Sequence, residues 1–186
     1  MTPGVLAYRF ADRSLVWTVA LTLGGALLTS VFAQFEIPMW PVPITGQTLA
    51  VLVAGAALGM RIGVASQILY LIMGLVNAPV FSGGGFGVEH FVGPTVGYLI
   101  GFPIAAGLVG WLAEKRLDRT VMTAIVTFVL GTILIYATGM AGLMVVLDYG
   151  VAEAFAVGVV PFLIGGVIKA AIAATVLPLA WRLTDS

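Results

Sequence analysis

The sequence predicts an all-α polytopic membrane protein with six transmembrane helices, organised as a single domain over residues 1–186, with both termini in the cytoplasm. Three observations predict this fold class: the composition, the long apolar runs and the placement of the basic residues. Of the 186 residues, 61% are hydrophobic and only 9% are charged, whereas a soluble domain carries about 25% charged residues. So few charges cannot cover a water-facing surface, so a lipid bilayer is the predicted environment.

Apolar runs divide the chain into six predicted spans, since a helix needs about 20 apolar residues to cross the hydrocarbon core. The first is Leu15–Ala33, interpreted as a retained helix because its apolar run is longer than that of a signal peptide. Two shorter spans follow at residues 48–60 and 62–76, because a tight turn at 59–61 fits better than one long helix with a central arginine. The last three spans are predicted at residues 91–113, 121–147 and 154–183.

The basic residues support the count of six. With the N-terminus inside, the outer segments at residues 34–46, 77–90 and 148–153 contain no Lys or Arg. This is a strong positive-inside bias, and a five-helix or seven-helix count would break it. Acidic and basic residues balance at 8 each, so net charge gives no sign of a nucleic-acid partner. The cytoplasmic segments hold Arg9, Arg13, Arg61, Lys115, Arg116, Arg119 and Arg182.

Several classes of chemistry are excluded or disfavoured. The chain contains no cysteine, which excludes disulfides, thiolate metal sites and cysteine catalysis. It contains one histidine, His90, which cannot form a histidine cluster. The predicted spans hold no paired carboxylates and no Ser/His/Asp set at one depth, so neither an enzyme nor a bound cofactor or metal is predicted. The glycine-rich run at 83–87 lacks the Lys-Ser/Thr of a phosphate loop and is interpreted as a flexible gate. Glu89 and His90, which follow it, are interpreted as residues on the surface of a loop.

Lys169 is the strongest candidate for a functional residue. A lysine at the centre of a span costs about 2.5–3.5 kcal/mol on insertion scales. It lies far from both ends of the predicted span at 154–183, which favours a side chain that faces the bundle interior over one that snorkels to an interface. No acid stands near it in the same helix, so a ligand is expected to bring the counter-charge.

Other candidates surround a proline-rich strap, residues 37–45, which leads into the second span. A polar cluster lies where the strap ends and consists of Thr45, Gln47 and Thr48. Thr45 is predicted to be the N-cap of the second span, and the side-chain amide of Gln47 is predicted to point inward. Tyr98 is interpreted as a pocket wall or an interfacial aromatic anchor. Asn77 is either a helix-end residue or a ligand contact.

Three segments, in this order, resemble the BioY family: PVPITGQTLAVL at 41–52, PVFSGG at 79–84 and GPTVGYLIGF at 93–102. BioY is the biotin-binding S component of energy-coupling-factor transporters, and the likeness runs from about Leu15 to the C-terminus. The resemblance implies a six-helix subunit of the prokaryotic cytoplasmic membrane that captures biotin from outside and delivers it inward. The implied partners are a coupling membrane subunit, EcfT, and two ABC-type ATPases that hydrolyse the ATP.

The resemblance also places the family's binding residues at Gln47, Tyr98 and Lys169. The family carries an aspartate three residues before the lysine, and this chain has Gly166 there. An amide matches the cyclic urea of biotin and aromatic side chains cover its rings, while Lys169 either neutralises the carboxylate or bonds the urea oxygen. The expected substrate-binding residues are Thr45, Gln47, Asn77, Phe81, Tyr98, Lys169 and Trp40.

The first predicted span carries two small residues at helical spacing, Ala20 and Gly24. This pattern resembles the face that S components use against the coupling subunit. The same spacing is common in packed membrane helices. Two other functions stay open at this point: an S component for another vitamin, and a membrane assembly subunit that binds no ligand.

Overall fold

The computed structural model describes residues 4–9 and 14–185. Of the basic residues counted above, Arg13 lies outside the described residues, and so does the side chain of Arg9. In chain order the elements are a 3-10 helix (Leu6–Arg9), α1 (Leu15–Ala33), β1 (Glu36–Ile37), β2 (Ile44–Thr45), α2 (Gln47–Leu75), a 3-10 helix (Ser82–Gly84), α3 (Gly87–Phe91), α4 (Val96–Glu114), α5 (Val121–Val146), α6 (Val151–Gly158) and α7 (Phe162–Asp185).

Five helices of the described residues, α1, α2, α4, α5 and α7, are long and apolar enough to cross a membrane. Two of them begin at the side-chain caps that a helix start favours: the Ser14 hydroxyl accepts the N–H of Trp17, and the Thr120 hydroxyl accepts the N–H of Thr123. The predicted class, a helical multi-pass membrane protein, is confirmed. How many times the chain crosses depends on α2.

Helix α2 is a hairpin with two arms that meet at Gly59. Gly59 has φ 82° and ψ 175°, which is not helical and favours glycine. The Gln47 side-chain nitrogen lies 2.6 Å from the Tyr70 hydroxyl, whereas 23 residues of straight helix would separate them by about 35 Å. The arms therefore fold back on each other, and a Cβ on Gly63 would lie 3.0 Å from the Gly55 Cα. The break predicted at 59–61 is present.

The predicted span at 154–183 is wrong as a single helix. The structure divides it into α6 and α7, which are separated by residues 159–161. Pro161 has no N–H and its ring collides with the preceding helical turn, so the helix ends before it. The break leaves the Gly158 carbonyl without the helical partner that a continuous helix would supply, and the Tyr98 hydroxyl donates to this carbonyl instead.

The fourth span was predicted to begin at residue 91, and this start is also wrong. Phe91 ends the short helix α3, and α4 begins at Val96. Pro94 stands between them, and the chain turns there through a hydrogen bond from the Val96 N–H to the Gly93 carbonyl. Helix α3 packs against α2, and its residues Glu89 and His90 line a surface space together with residues of the strap.

The bundle is organised around α2 and α4. Helix α2 packs most extensively against α4 and then against α1, while α5 packs against α4 and α7. Glycines allow these close approaches: a Cβ on Gly97 of α4 would overlap the Thr138 carbonyl oxygen of α5, and a Cβ on Gly110 would lie 2.5 Å from the backbone of Gly59. Backbones in membrane bundles approach closely at such small residues.

The strap is closed at its base by the only strands among the described residues. In this antiparallel pair, Glu36 lies opposite Thr45 and Ile37 opposite Ile44. The N-cap residue of α2 is Gly46, with no side-chain cap, so the prediction of Thr45 as N-cap is wrong by one residue. The Thr45 hydroxyl still accepts the N–H of Gln47 at 3.3 Å, which satisfies one of the free donors at the start of the helix.

Candidate binding site

A cavity lies inside the bundle at the end that carries the strap. Its volume is about 30 Å³, which holds one or two water molecules. The strap, the start of α2, the loop after α2, and helices α4, α5 and α7 all contribute to its wall. The lining residues are Val42, Pro43, Thr45, Gln47, Thr48, Phe81, Ser82, His90, Thr95, Tyr98, Leu99, Phe102, Tyr136, Phe162 and Lys169.

Lys169 extends from α7 into this cavity, as the sequence predicts. Its ammonium donates to the backbone carbonyl of Thr45 and, at 2.9 Å, to the hydroxyl of Thr48. Both acceptors are neutral, and the lining contains no aspartate or glutamate. Lys169 thus ties α7 to the end of the strap, and its charge has no carboxylate partner among the described residues.

A chain of hydrogen bonds runs from the strap across both arms of α2. The Thr45 hydroxyl donates to the Gln47 side-chain oxygen at 2.7 Å, and the Gln47 side-chain nitrogen donates to the Tyr70 hydroxyl at 2.6 Å. The Tyr70 hydroxyl in turn donates to the Val80 carbonyl at 3.2 Å. Because Gln47 and Tyr70 are almost fully buried, each of these bonds satisfies a group that could not reach water.

Three aromatic side chains form the wall beside Lys169. Phe162 lies between Tyr98 and Tyr136, with both ring-centroid distances at 6.0 Å. The Tyr98 hydroxyl donates to the Gly158 carbonyl at 2.6 Å, and the Tyr136 hydroxyl donates to the Phe162 carbonyl at 3.1 Å. The two tyrosines therefore bond backbone carbonyls on either side of the break between α6 and α7, and both line the cavity.

Gly166 stands one helical turn before Lys169, at the back of the same wall. A Cβ at this position would lie 2.7 Å from the Tyr136 hydroxyl. The tyrosine hydroxyl therefore occupies the space that a side chain at position 166 would enter.

Phe81 and His90 form a lid over the cavity. Their rings stack with centroids 5.2 Å apart and an interplanar angle of 14°. The loop that carries Phe81 is fixed by Gln34 at the end of α1, whose side chain donates to the Phe81 carbonyl and accepts the N–H of Gly84, both at 3.1 Å. A wider space of about 400 Å³, the vestibule, adjoins the cavity and shares with it the lining residues Pro43, Ser82, His90 and Thr95.

His90 is therefore not plain loop surface, and that interpretation is wrong. It lines both the cavity and the vestibule and is only partly exposed. Burial lowers the pKa of His90, while the carboxylate of Glu36 acts in the opposite direction. The histidine belongs to the site because the turn at Pro94 places α3 over the cavity.

Five of the seven substrate-binding residues predicted from the sequence line the cavity together: Thr45, Gln47, Phe81, Tyr98 and Lys169. The structure places the other two outside the lining. Trp40 lies at the tip of the strap with 77% of its surface exposed, and Asn77 is an exposed residue at the end of α2 with φ 69°. Ala20 and Gly24 lie elsewhere, in an apolar groove between α1 and the first arm of α2.

The site and its support also contain residues that were not predicted from the sequence, among them Tyr70, His90, Tyr136 and Phe162. A tyrosine in a charge-free apolar run carries a hydroxyl that must find a partner when it is buried, and this signal could have singled out Tyr70 and Tyr136. No local signal indicates His90 or Phe162.

The sequence of residues 8–186 matches the sequence profile of the BioY family. The chain belongs to the BioY family. The resemblance carried by the three motifs is thus confirmed, and the match covers the whole described bundle from α1 onward.

Known proteins of the BioY family resemble the chain over most of their length. A probable biotin transporter BioY from Pyrococcus horikoshii is 38% identical over 155 residues, which cover 83% of this chain and 90% of that protein. A biotin transporter BioY from Rhizobium etli is 37% identical over 171 residues, which cover 88% of this chain and 90% of that protein. The crystal structure of the S-component for biotin from an ECF-type ABC transporter superimposes with a TM-score of 0.82 at 24% identity, covering 95% of both chains, so the folds are the same.

Proposed function

We propose that this BioY-family chain is the substrate-binding membrane subunit of a biotin uptake system, which captures biotin from outside and delivers it inward. The observation that carries the proposal is the cavity around Lys169, where residues of all three sequence motifs and of α7 meet. The names of the relatives from Pyrococcus horikoshii and Rhizobium etli support biotin as the substrate.

The chemistry of the wall fits the parts of biotin. Biotin has a cyclic urea, an apolar pair of rings with an aliphatic tail, and a carboxylate. The Gln47 amide offers a donor and an acceptor of the kind that a urea requires, and Phe81, Tyr98 and Phe162 offer apolar ring faces. Lys169 offers a positive charge. A mostly apolar pocket with a few oriented polar groups is typical of small-molecule sites.

Entry of biotin requires the lid to move. The cavity of about 30 Å³ is far smaller than the roughly 300–1,000 Å³ of a ligand pocket. The ring of Phe81 lines the cavity and stacks on His90, which lines both the cavity and the vestibule. The loop behind Phe81 contains Gly83 and Gly84, both with positive φ. Displacement of this loop, the gate predicted at 83–87, joins the two spaces, and its return removes water from the polar contacts.

Release inward is driven by partners in this proposal. An EcfT-like coupling membrane subunit and two ABC-type ATPases form the ATP-driven module, and the chain itself performs no catalysis. The groove that contains Ala20 and Gly24 is proposed to face the coupling subunit, since its lining is apolar and shares no residue with the cavity around Lys169. Gly24→Leu would then reduce co-purification of the module while biotin binding by the isolated chain stays unchanged.

The proposed topology has six membrane crossings with both termini in the cytoplasm of a prokaryotic cell. The hairpin of α2 supports it, because each arm counts as one crossing and an even number of crossings follows. Labelling tests it cleanly, since the chain has no native cysteine. Single cysteines at Lys115 and at Glu153 are expected to react with an impermeant maleimide from the inside and the outside, respectively; the same side for both would overturn the proposed topology.

A thermal-shift experiment with a panel of vitamins tests the function. A ligand that binds only the folded state raises the melting temperature in proportion to the logarithm of its concentration. Biotin is expected to raise the melting temperature of the purified chain, and thiamine and riboflavin are expected to leave it unchanged. A shift with another vitamin alone would indicate an S component of different specificity, and no shift at all would indicate an assembly subunit; either result overturns the proposal.

A further inference from the structure

The loop that carries Phe81 is closed by its own hydrogen bonds into a compact unit, the lid loop, residues 81–85. The Phe81 N–H donates to the Gly85 carbonyl and the Gly85 N–H donates to the Ser82 carbonyl, both at 3.0 Å. Gly83 and Gly84 have positive φ, which costs glycine little. Because both bonds close within five residues, the lid loop can change its position without losing them.

Two kinds of contact hold the lid loop in its place. The first lies on the cavity side, where the fully buried Phe81 ring packs edge-on against Tyr70 with centroids 5.5 Å apart. The same ring fills the space beside Gly74 that a Cβ would enter. The second kind of contact comes from the opposite partner, α1, through the side chain of Gln34. The first kind belongs to the wall of the cavity, whereas the second does not.

Gln34 bonds the lid loop at two backbone groups. Its side-chain Nε2 donates to the Phe81 carbonyl, and its Oε1 accepts the N–H of Gly84, both at 3.1 Å. A primary amide can make this pair because it carries two donors and an acceptor. The Nε2 also donates to the Ser30 carbonyl, one turn earlier in α1, at 3.1 Å. The helix itself therefore orients the amide towards the lid loop.

The place of Gln34 in the chain makes its amide a firm support. Gln34 is the C-cap of α1, and its backbone N–H donates to the Val31 carbonyl. The base of the strap follows at once, since the Gly46 N–H donates to the carbonyl of Phe35 at 2.9 Å. The end of α1, the base of the strap and the lid loop thus meet at one residue. Gln34 does not line the cavity, so it can hold the loop without touching a ligand inside.

We propose that Gln34 is a positioning residue that holds the lid loop in its closed position and thereby sets the rates at which the cavity opens. The inference rests on the proposed function, biotin capture, and deepens it. Both bonds of the amide go to the loop backbone, so the closed loop makes them whether the cavity is empty or filled. Their loss favours the open loop equally in the two states. The rate constants of entry and exit then rise by the same factor, and the affinity stays the same.

Stopped-flow kinetics of biotin binding to the purified chain test this role. Gln34→Leu keeps most of the side-chain volume and removes both bonds to the lid loop. One hydrogen bond corresponds to about a 2–10-fold change in an equilibrium constant, so the association and dissociation rate constants are both expected to rise by about fivefold or more. The dissociation constant is expected to stay constant. A general loss of stability would reduce the folded fraction without producing this pattern.

Val31→Ala is the matched control, because the Val31 side chain lies at the same end of α1 and is 56% exposed. Its rate constants are expected to equal those of the wild type. Unchanged rate constants in Gln34→Leu would overturn the inference and leave biotin capture standing. A weaker affinity with an unchanged association rate constant would also overturn it, since the side chain would then act on the bound ligand alone.

A second measurement follows the lid loop without any ligand. The chain has no native cysteine, so Leu99→Cys introduces a single thiol into the cavity wall, at a position with 3% exposure. A small water-soluble thiol reagent is expected to reach this thiol while the lid loop is displaced. In this background, Gln34→Leu is expected to raise the labelling rate by about fivefold or more, and Val31→Ala is expected to leave it unchanged.

The two measurements separate this inference from the proposed function. Equal labelling rates with and without the Gln34 side chain would overturn the inference, even if the chain binds biotin. A faster labelling rate in Gln34→Leu, in a chain that binds no biotin, would support the role of Gln34 and overturn biotin capture.

Discussion

The Lys169 ammonium donates a hydrogen bond of 2.9 Å to the Thr48 hydroxyl, although 121 positions separate the two residues in the sequence. This bond joins α7 to the start of α2, immediately after the strap. It places a charged group at the meeting point of the elements that form the cavity. Contacts with this one side chain can therefore link ligand binding to the relative positions of α7 and the strap.

Removal of the Lys169 side chain is expected to weaken biotin binding far more than a change at Arg61. Lys169→Ala removes the positive charge of the cavity, and loss of one partner of a buried charge pair costs about 2–5 kcal/mol of binding free energy. Arg61 is exposed at the turn between the arms of α2, so Arg61→Ala is the control. Calorimetry that gave both variants the same affinity would remove Lys169 from the site.

The hydrogen bond between Gln47 and Tyr70 is expected to stabilise the α2 hairpin. Gln47→Leu leaves the buried Tyr70 hydroxyl without its donor, which costs about 1–3 kcal/mol. For a chain of this size each kcal/mol corresponds to a shift of roughly 2–4 °C in melting temperature. Tyr70→Phe removes the other partner.

If the two groups act through this bond, the melting temperature of the double variant falls by less than the sum of the two single shifts. Fully additive shifts would show that Gln47 and Tyr70 stabilise the hairpin independently of each other.

Substitution of Gly97 by alanine is expected to separate α4 from α5. The new methyl group would overlap the Thr138 carbonyl oxygen, and overpacking of this kind costs about 1–3 kcal/mol. Gly24→Ala is the matched control, since no atom lies within 4 Å of its added Cβ. The melting temperature is expected to fall for the first variant and to stay constant or rise for the second. An equal change in melting temperature for the two variants would show that the stability of the fold does not depend on the close approach of α4 and α5 at Gly97.

The stability of the lid is expected to decrease as the pH falls. Burial lowers the pKa of His90 in the folded chain, so below about pH 6.5 the unfolded chain binds more protons than the folded chain, and the free energy of unfolding falls with pH. His90→Phe keeps a ring against Phe81 and removes this titration. The wild-type melting temperature should therefore fall more than that of the variant between pH 7.5 and pH 5.5.

Burial raises the pKa of Asp118, so this residue contributes stability to the folded chain as the pH falls. Asp118 is present in both proteins, so its contribution cancels when their melting temperatures are compared. Parallel melting curves for the wild type and His90→Phe would contradict a role for His90 titration in the lid.

Much of the fold and part of the site could be predicted because they depend on local sequence. The break in α2 follows from Arg61 inside an apolar run, and the inward position of Lys169 follows from the cost of a charge in a span. The break at Pro161 was missed because the apolar run continues through it, so hydropathy alone does not show where the backbone changes direction. The proline itself was the available signal.

The missing parts of the site depend on contacts distant in sequence. The stack of His90 on Phe81 exists because Pro94 turns α3 over the cavity, and the pairing of Tyr136 with Gly166 joins two helices. Spacing along one helix cannot indicate such a partner. Trp40 was predicted from its place in the strap, but the direction of its side chain depends on how the strap lies on the bundle, which the local sequence does not determine.

The most direct test of the account is a calorimetric titration of biotin into the purified chain, in detergent and without partner subunits, beside the Lys169→Ala variant. The account predicts saturable binding of one biotin per chain, and an affinity reduced by at least about 30-fold in the variant. Binding that is absent from the wild type, or that survives unchanged without the lysine, would contradict it.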